Sequence, residues 1–260
     1  NSLSMSLAQR AQPPSQRALL VQVLPLAIGG IFFPLGAPII SAALARTQEP
    51  ELSLAAYSVA FSIAALISSA MWGIRQISNT FGGDREMLRR VSRLALSMST
   101  MAVGIILLTC APPITQILLD QVMGIPAEIG KLVTPALLVM ALNPYLSVGR
   151  GFYQGVLVRY GRAGPIGVGA VGYLLGVAVV MVPGVLWTSL QGALLAALAM
   201  MVGQLVYFVA CWWPARAIIR NEVDASDPHI TPEKRSASYV FLFYLPLALS
   251  IISVSYTHLR

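Results

Sequence analysis

Long apolar stretches alternate along this chain with short polar segments that carry nearly all of its charge. Residues 18–45 contain no Asp, Glu, Lys or Arg. A helix crossing the hydrocarbon core of a bilayer needs ~20 mostly apolar residues, so this stretch predicts a first span. The same pattern predicts a second span at 52–74 and a third at 94–119, with Pro112-Pro113 near its far end. A fourth span at 132–158 contains one charge, Arg150. Residues 163–215 are uncharged and too long for one crossing. Pro183-Gly184 and the polar Thr188-Ser189 divide them into spans five and six. A seventh apolar run covers 239–254. The predicted fold class is all-α: a polytopic membrane helix bundle of six complete transmembrane helices plus a truncated seventh.

The basic residues orient this bundle. Thirteen Lys and Arg fall in the leading tail and in the segments after spans two, four and six, against only Arg46 and Lys131 in the opposite segments. Lys and Arg in short loops mark the cytoplasmic side, so the N-terminus is expected in the cytoplasm. The predicted organisation is a cytoplasmic tail at 1–17, a six-helix lobe at 18–220, a cytoplasmic inter-lobe loop at 221–238 and the start of a second lobe at 239–254. Leu24-Pro25-Leu26-Ala27 recurs 221 residues later as Leu245-Pro246-Leu247-Ala248. Six spans return the chain to its starting side, so this recurrence fits a parallel repeat. The apolar run stops abruptly before Ser255, and position 1 is not Met. Residues 255–260 are therefore expected to be non-native, and the chain a fragment whose second half is missing.

Composition narrows the function. Hydrophobic residues make up 57% and charged residues 10%, whereas soluble domains carry about 25% charged residues. That excludes an ordinary soluble enzyme. The net charge of +7 lies between apolar runs and is no nucleic-acid footprint, so no nucleic-acid partner is expected. Cys110 and Cys211 sit inside apolar runs, and His229 and His258 stand far apart. No metal and no cofactor are expected, and no GxxxxGK[ST] phosphate loop occurs.

Arg150 is the strongest candidate for chemistry. A charge inside a span costs at least ~2.5 kcal/mol on insertion scales, and it usually faces a partner or a watery cavity. Asn143, Ser147, Arg150 and Gln154 follow at i, i+4, i+7 and i+11, one stripe of a helix. The stripe predicts the polar wall of a central cavity, with Arg150 binding an anion. A snorkelling or packing arginine is the bland alternative. A second stripe joins Ser58, Ser62, Ser69 and Gln76, and Arg75-Gln76 closes it. Pro25 and Pro34 in span one predict a bent or broken segment of the kind that gates transporters. The Gly172-x-x-x-Gly176 spacing predicts close helix packing, and Gln204 an interhelix bond. All ten Asp and Glu lie in loops or at span ends, which disfavours a cation site.

Ala55-Ala56-Tyr57-x-x-Ala60-Phe61-Ser62 is similar to the Ala-Ser-Tyr-x-x-Ala-Tyr-Ser run of the progressive ankylosis protein family. Thirteen residues on, Arg75-Gln76 falls where that family has Lys-Asn. Residues 150–164 resemble its helix-four exit, with Arg150 in place of His. Tyr244-Leu245-Pro246-Leu247-Ala248 resembles its Trp-Pro-Leu-Ala opening of helix seven. Ala65 and Gly73 stand where the family carries charges in helix two. The wider resemblance is to the multidrug/oligosaccharidyl-lipid/polysaccharide exporter superfamily (MATE-like), with twelve spans in two lobes. It implies an alternating-access membrane transporter exporting a small polyvalent anion of the pyrophosphate, nucleotide or citrate type. The alternatives are a multidrug or lipid-linked saccharide exporter of the same superfamily, and a non-transporting membrane scaffold. The expected partners are a small-molecule anion and membrane lipids, with the oligomeric state left open. The expected location is the inner (cell) membrane of a bacterium.

Overall fold

The computed structural model describes residues 16–187, 190–223, 239 and 241–246. The described part is a bundle of helices, six of whose segments are long and apolar enough to cross a membrane. The chain is thus an all-α, integral membrane bundle. The tail at 1–15, the stretch 224–238 and residues 247–260, including the tail expected to be non-native, lie outside the described residues.

Three of the six spans are broken. The first consists of α1 (Gln16–Phe32) and α2 (Gly36–Leu44). Its break falls at Pro34, which has no amide to donate to the preceding turn. Pro25, by contrast, lies inside α1 without interrupting it. The second span consists of α3 (Pro50–Ser69) and α4 (Ile74–Phe81), joined by tight i→i+3 bonds through 70–73. It extends beyond the expected end at Ile74, so Arg75 and Gln76 are helical. The third span, α5, runs from Arg85 to Thr109. It starts nine residues before the expected Leu94 because Asp84 caps it, accepting from the amides of Glu86 and Met87 at 2.8 and 3.0 Å. The arginines of 85–93 therefore lie on a helix rather than in a loop. The same span ends ten residues before the expected Leu119. Ala111 is extended ahead of Pro112-Pro113, which open a separate short helix α6 (Pro112–Gln116) followed by a π-helical turn at Ile117–Val122. A residue before proline disfavours the helical region, and proline itself suits the first helical position.

The fourth span is α7 (Ala127–Met140) and α8 (Asn143–Arg159), interrupted where Pro144 leaves the turn before it without a donor. Helix α9 (Gly164–Trp187) continues through Pro183-Gly184 and ends just before the expected polar divider Thr188-Ser189, two residues outside the described ones. Helix α10 (Gly192–Asn221) is the sixth span. On α9 the exposed Val168, Leu175, Val179, Val182 and Leu186 form one stripe, and the buried Ile166, Ala170, Tyr173, Val177 and Met181 form the other. The helix surface is thus sorted into an exposed, lipid-facing row and a buried row. Small residues bring the helices together where lipid supplies no hydrophobic drive. A Cβ at Gly176 would lie 3.0 Å from Gly203 Cα on α10, and one at Gly172 3.0 Å from Val206, so that pair packs as the spacing predicts.

The seventh run begins as a helix. Tyr239 and residues 241–246 are helical, and Tyr239 and Phe243 pack edge-on against Phe81 at the end of α4, with ring centroids 6.3 and 5.5 Å away.

The end of the bundle nearest Gly82–Asp84 and Tyr160–Ala163 carries most of the arginines, and two of them cap helix C-termini. Arg159 donates to the carbonyls of Asn79 and Thr80 at 3.2 and 3.0 Å. Arg85 donates to those of Ile219, Arg220 and Val223. Cations there satisfy orphan carbonyls and complement the helix dipole.

Candidate functional site

The breaks in spans one and four place an arginine against aromatic rings inside the lobe. Helix α8 opens at Asn143 and carries Arg150 two turns later, nine residues before its end at Arg159. At ~1.5 Å per residue this sets Arg150 about 13 Å below that end. Its guanidinium lies over the ring of Phe33 at 4.3 Å and over that of Tyr207 at 4.6 Å. Phe33 is available because it sits in the break of span one, where its ring also packs against Tyr173 at 5.0 Å. The approach depends on Gly36: any Cβ there would run into the Tyr173 ring.

One hydrogen bond holds the guanidinium directly. Arg150 Nη1 donates to Gln204 Oε1 at 3.0 Å, and the Gln204 amide donates in turn to Asn143 Oδ1 at 3.4 Å. Arg150 Nε is buried and has no partner. No carboxylate of the described residues pairs with Arg150. A buried cation normally acquires a counter-charge or a hydrated cavity, because its desolvation costs several kcal/mol. Two cation–π contacts return about 0.5–2 kcal/mol each and leave the charge uncompensated.

The structure brings together three of the four residues of the first stripe. Asn143 and Gln154 are buried, at 8% and 6% exposure. Asn143 joins Arg150 through Gln204, and Gln154 lies beside Tyr207 and Cys211. Ser147 shares the face, but its hydroxyl bonds only the Pro144 carbonyl of its own helix, at 3.5 Å. Arg75 and Gln76 are exposed on α4, and the Arg75 charge is near enough to act on Arg150. The α4 backbone packs hard against α8: a Cβ at Gly155 would meet the Arg75 carbonyl, with Asn79 N at 2.8 Å. The serine stripe of span two does not form. Ser58 and Ser62 are exposed, whereas Ser69 is buried and bonds Leu66 O, and the break at 70–73 shifts the phase before Gln76. Pro34 lies exposed in the break of span one, and Pro25 packs beside Gly167 of α9. Phe33, Tyr173 and Tyr207 carry the site without having been singled out from sequence. Aromatic residues within apolar runs look like packing, and only the contacts of Phe33 and Tyr207 with Arg150, and of Tyr173 with Phe33, separate them.

Two solved structures share this architecture. A transporter of the MOP superfamily from Pyrococcus furiosus, described as having a binding pocket of reverse polarity that suggests a different function, superposes with a TM-score of 0.65 at 18% identity. An outward-facing multidrug resistance transporter of the MATE family superposes with a TM-score of 0.64 at 19% identity. Each match covers 93% of this chain and 54% of the other, so the chain spans about half the length of these structures. At such identities the likeness establishes the fold. No curated protein matches the chain. The family model of the progressive ankylosis protein (ANKH) matches residues 11–257, nearly the whole length, and the chain belongs to that family.

Proposed function

We propose that this chain is one lobe of an alternating-access membrane transporter that exports a small polyvalent anion, held at Arg150. The observation that carries the reading is the half-buried Arg150, whose buried Nε has no partner and which has no carboxylate of the described residues beside it. A phosphate or carboxylate group supplies the missing charge, and the planar fork suits it in a bidentate pair. Asn143, Gln204 and Gln154 provide neutral polar groups along the same wall, while Phe33 and Tyr207 hold the guanidinium in place. Ser147, Arg75 and Gln76 belong to the same proposed path, with Arg75 as a second cation that draws the anion toward Arg150. The break at Pro34, with Pro25 a few turns away, is the proposed hinge of span one. Pyrophosphate, nucleotides and citrate are the substrate types proposed from family membership.

In this reading the arginine-rich end faces the cytoplasm, the membrane is the bacterial cell membrane, and residues 18–220 form the lobe. The Pyrococcus transporter, whose pocket of reverse polarity suggests a different function, supports a reading in which one fold serves different functions. The test uses the full-length protein that carries this chain, reconstituted in vesicles. Uptake of labelled citrate or pyrophosphate, blocked by excess unlabelled anion and untouched by lipophilic cations, is the expected result. Cation transport without anion transport would overturn it.

A further inference from the structure

A second basic site lies away from the Arg150 cluster. A cavity of about 500 Å³ opens at the arginine-rich end between α5, α8 and α10. Its cations are Arg85, Arg89 and Arg93 from α5 and Arg220 from α10. The three on α5 are spaced i, i+4 and i+8, so they share one face, and like charges at that spacing destabilise a helix. The ion pairs among the described residues at this end use other arginines: Arg90 with Glu86, and Arg162 with Glu222. Arg85 spends its Nη2 on three carbonyls of the α10 end, and its Nε is left buried without a partner. Leu88, Phe152 and Ile219 add apolar lining to these cations, and Ser92 and Tyr153 add hydroxyls. Arg150 does not line this cavity. Phe152 follows it by two residues and so points about 200° away around α8.

We propose that this cavity binds a phosphate-bearing anion through Arg89, Arg93 and Arg220. Guanidinium groups pair with phosphate oxygens in a fork geometry. The apolar lining accommodates the glycerol and first acyl carbons of an anionic phospholipid, whose headgroup lies at the depth where such arginines cluster. Free phosphate presents the same oxygens, so the chemistry is shared by two sources. The site is independent of the transport reading, because it uses none of the residues placed around Arg150.

The experiment measures binding to the purified full-length protein in two arms. One arm uses vesicles of phosphatidylcholine with added phosphatidylglycerol, and the other inorganic phosphate in lipid-free detergent. Two charge-matched variants are compared, R89Q/R93Q inside the cavity and R90Q/R162Q outside it. Arg89, Arg93 and Arg162 are exposed and Arg90 is half-buried, and a thermal melt of each variant checks its folding. Each arginine near an anionic surface contributes about a factor of five, so R89Q/R93Q is expected to weaken binding roughly thirtyfold, and R90Q/R162Q far less, because Glu86 and Glu222 already neutralise those two charges. Loss in the vesicle arm identifies a lipid headgroup, and loss in the phosphate arm a soluble anion. Equal weakening by both variants, or no weakening by R89Q/R93Q in either arm, would overturn the proposal.

Discussion

Replacing Gln204 by Glu places a carboxylate where an amide now meets Arg150. The amide oxygen lies 3.0 Å from Arg150 Nη1, so the isosteric change builds an ion pair without moving a helix. Two unit charges about 4 Å apart attract by about 4 kcal/mol at an effective dielectric of ~20. Desolvation of the new carboxylate cancels part of this, leaving an expected gain in stability of about 1–2 kcal/mol. An anion that relies on the uncompensated guanidinium loses the full attraction, which is about three decades of affinity. Gln204→Leu acts in the opposite direction. It removes the acceptor of a charged donor, worth about 1.5–3 kcal/mol, together with the longer 3.4 Å contact to Asn143. Membrane side-chain bonds average nearer ~0.6 kcal/mol, so the bond to the charged group dominates the loss. The assay is thermal unfolding of the detergent-purified full-length protein with and without citrate or pyrophosphate, since a ligand of the folded state raises the Tm. The wild type should gain stability with anion. Q204E should melt higher without anion and show no anion-dependent shift, while Q204L should melt lower yet still respond. A Q204E protein that responds to anion as the wild type does would refute the reasoning.

Three further outcomes follow from the packing and the charge pattern. Gly155→Ala forces a Cβ against backbone atoms of α4 and within 2.6 Å of Ser78 Cβ, so it should lower stability by about 1–3 kcal/mol; an unchanged Tm would contradict the α4–α8 seam. Asp84→Ala removes two amide bonds at the start of α5 and should cost about 0.5–2 kcal/mol, read from the same melt; a cost near zero would mean the cap is dispensable. In a variant with Cys110 and Cys211 replaced, a cysteine at the exposed Glu49 should react with a membrane-impermeant reagent on intact cells, and one at the exposed Glu86 only after permeabilisation. The reverse pattern would invert the proposed orientation.

The number of spans and their charge alternation were legible because both are one-dimensional properties: runs of apolar residues long enough to cross, separated by segments whose arginines fall on alternate sides. Span ends were less legible. Arg85, Arg89, Arg90 and Arg93 read as a loop by hydropathy, although Asp84 ahead of Glu86 and Met87 is an N-cap signal that would have started the helix there. Pro183 looked like a boundary, yet α9 passes through it, whereas Pro34 and Pro144 do interrupt their spans. Proline alone therefore does not distinguish a break from a tolerated site. Arg150, Asn143 and Gln154 emerged from helical spacing. Gln204 was legible as an interhelix bond but not in its partners Arg150 and Asn143, and Phe33, Tyr173 and Tyr207 not at all. Their roles arise from contacts across 54 residues or more of sequence, as in the Arg150–Gln204 bond, and no local pattern encodes those.

The central claim is that the uncompensated charge of Arg150 receives the transported anion. Its most direct test is transport by the full-length protein reconstituted in vesicles, comparing wild type, Arg150→Lys and Arg150→Ala at matched protein levels. The account predicts that Arg150→Ala abolishes uptake of citrate and pyrophosphate while the protein still folds, and that Arg150→Lys is intermediate, because an ammonium keeps the charge but not the fork. Wild-type rates in Arg150→Ala would contradict it and place the anion site elsewhere.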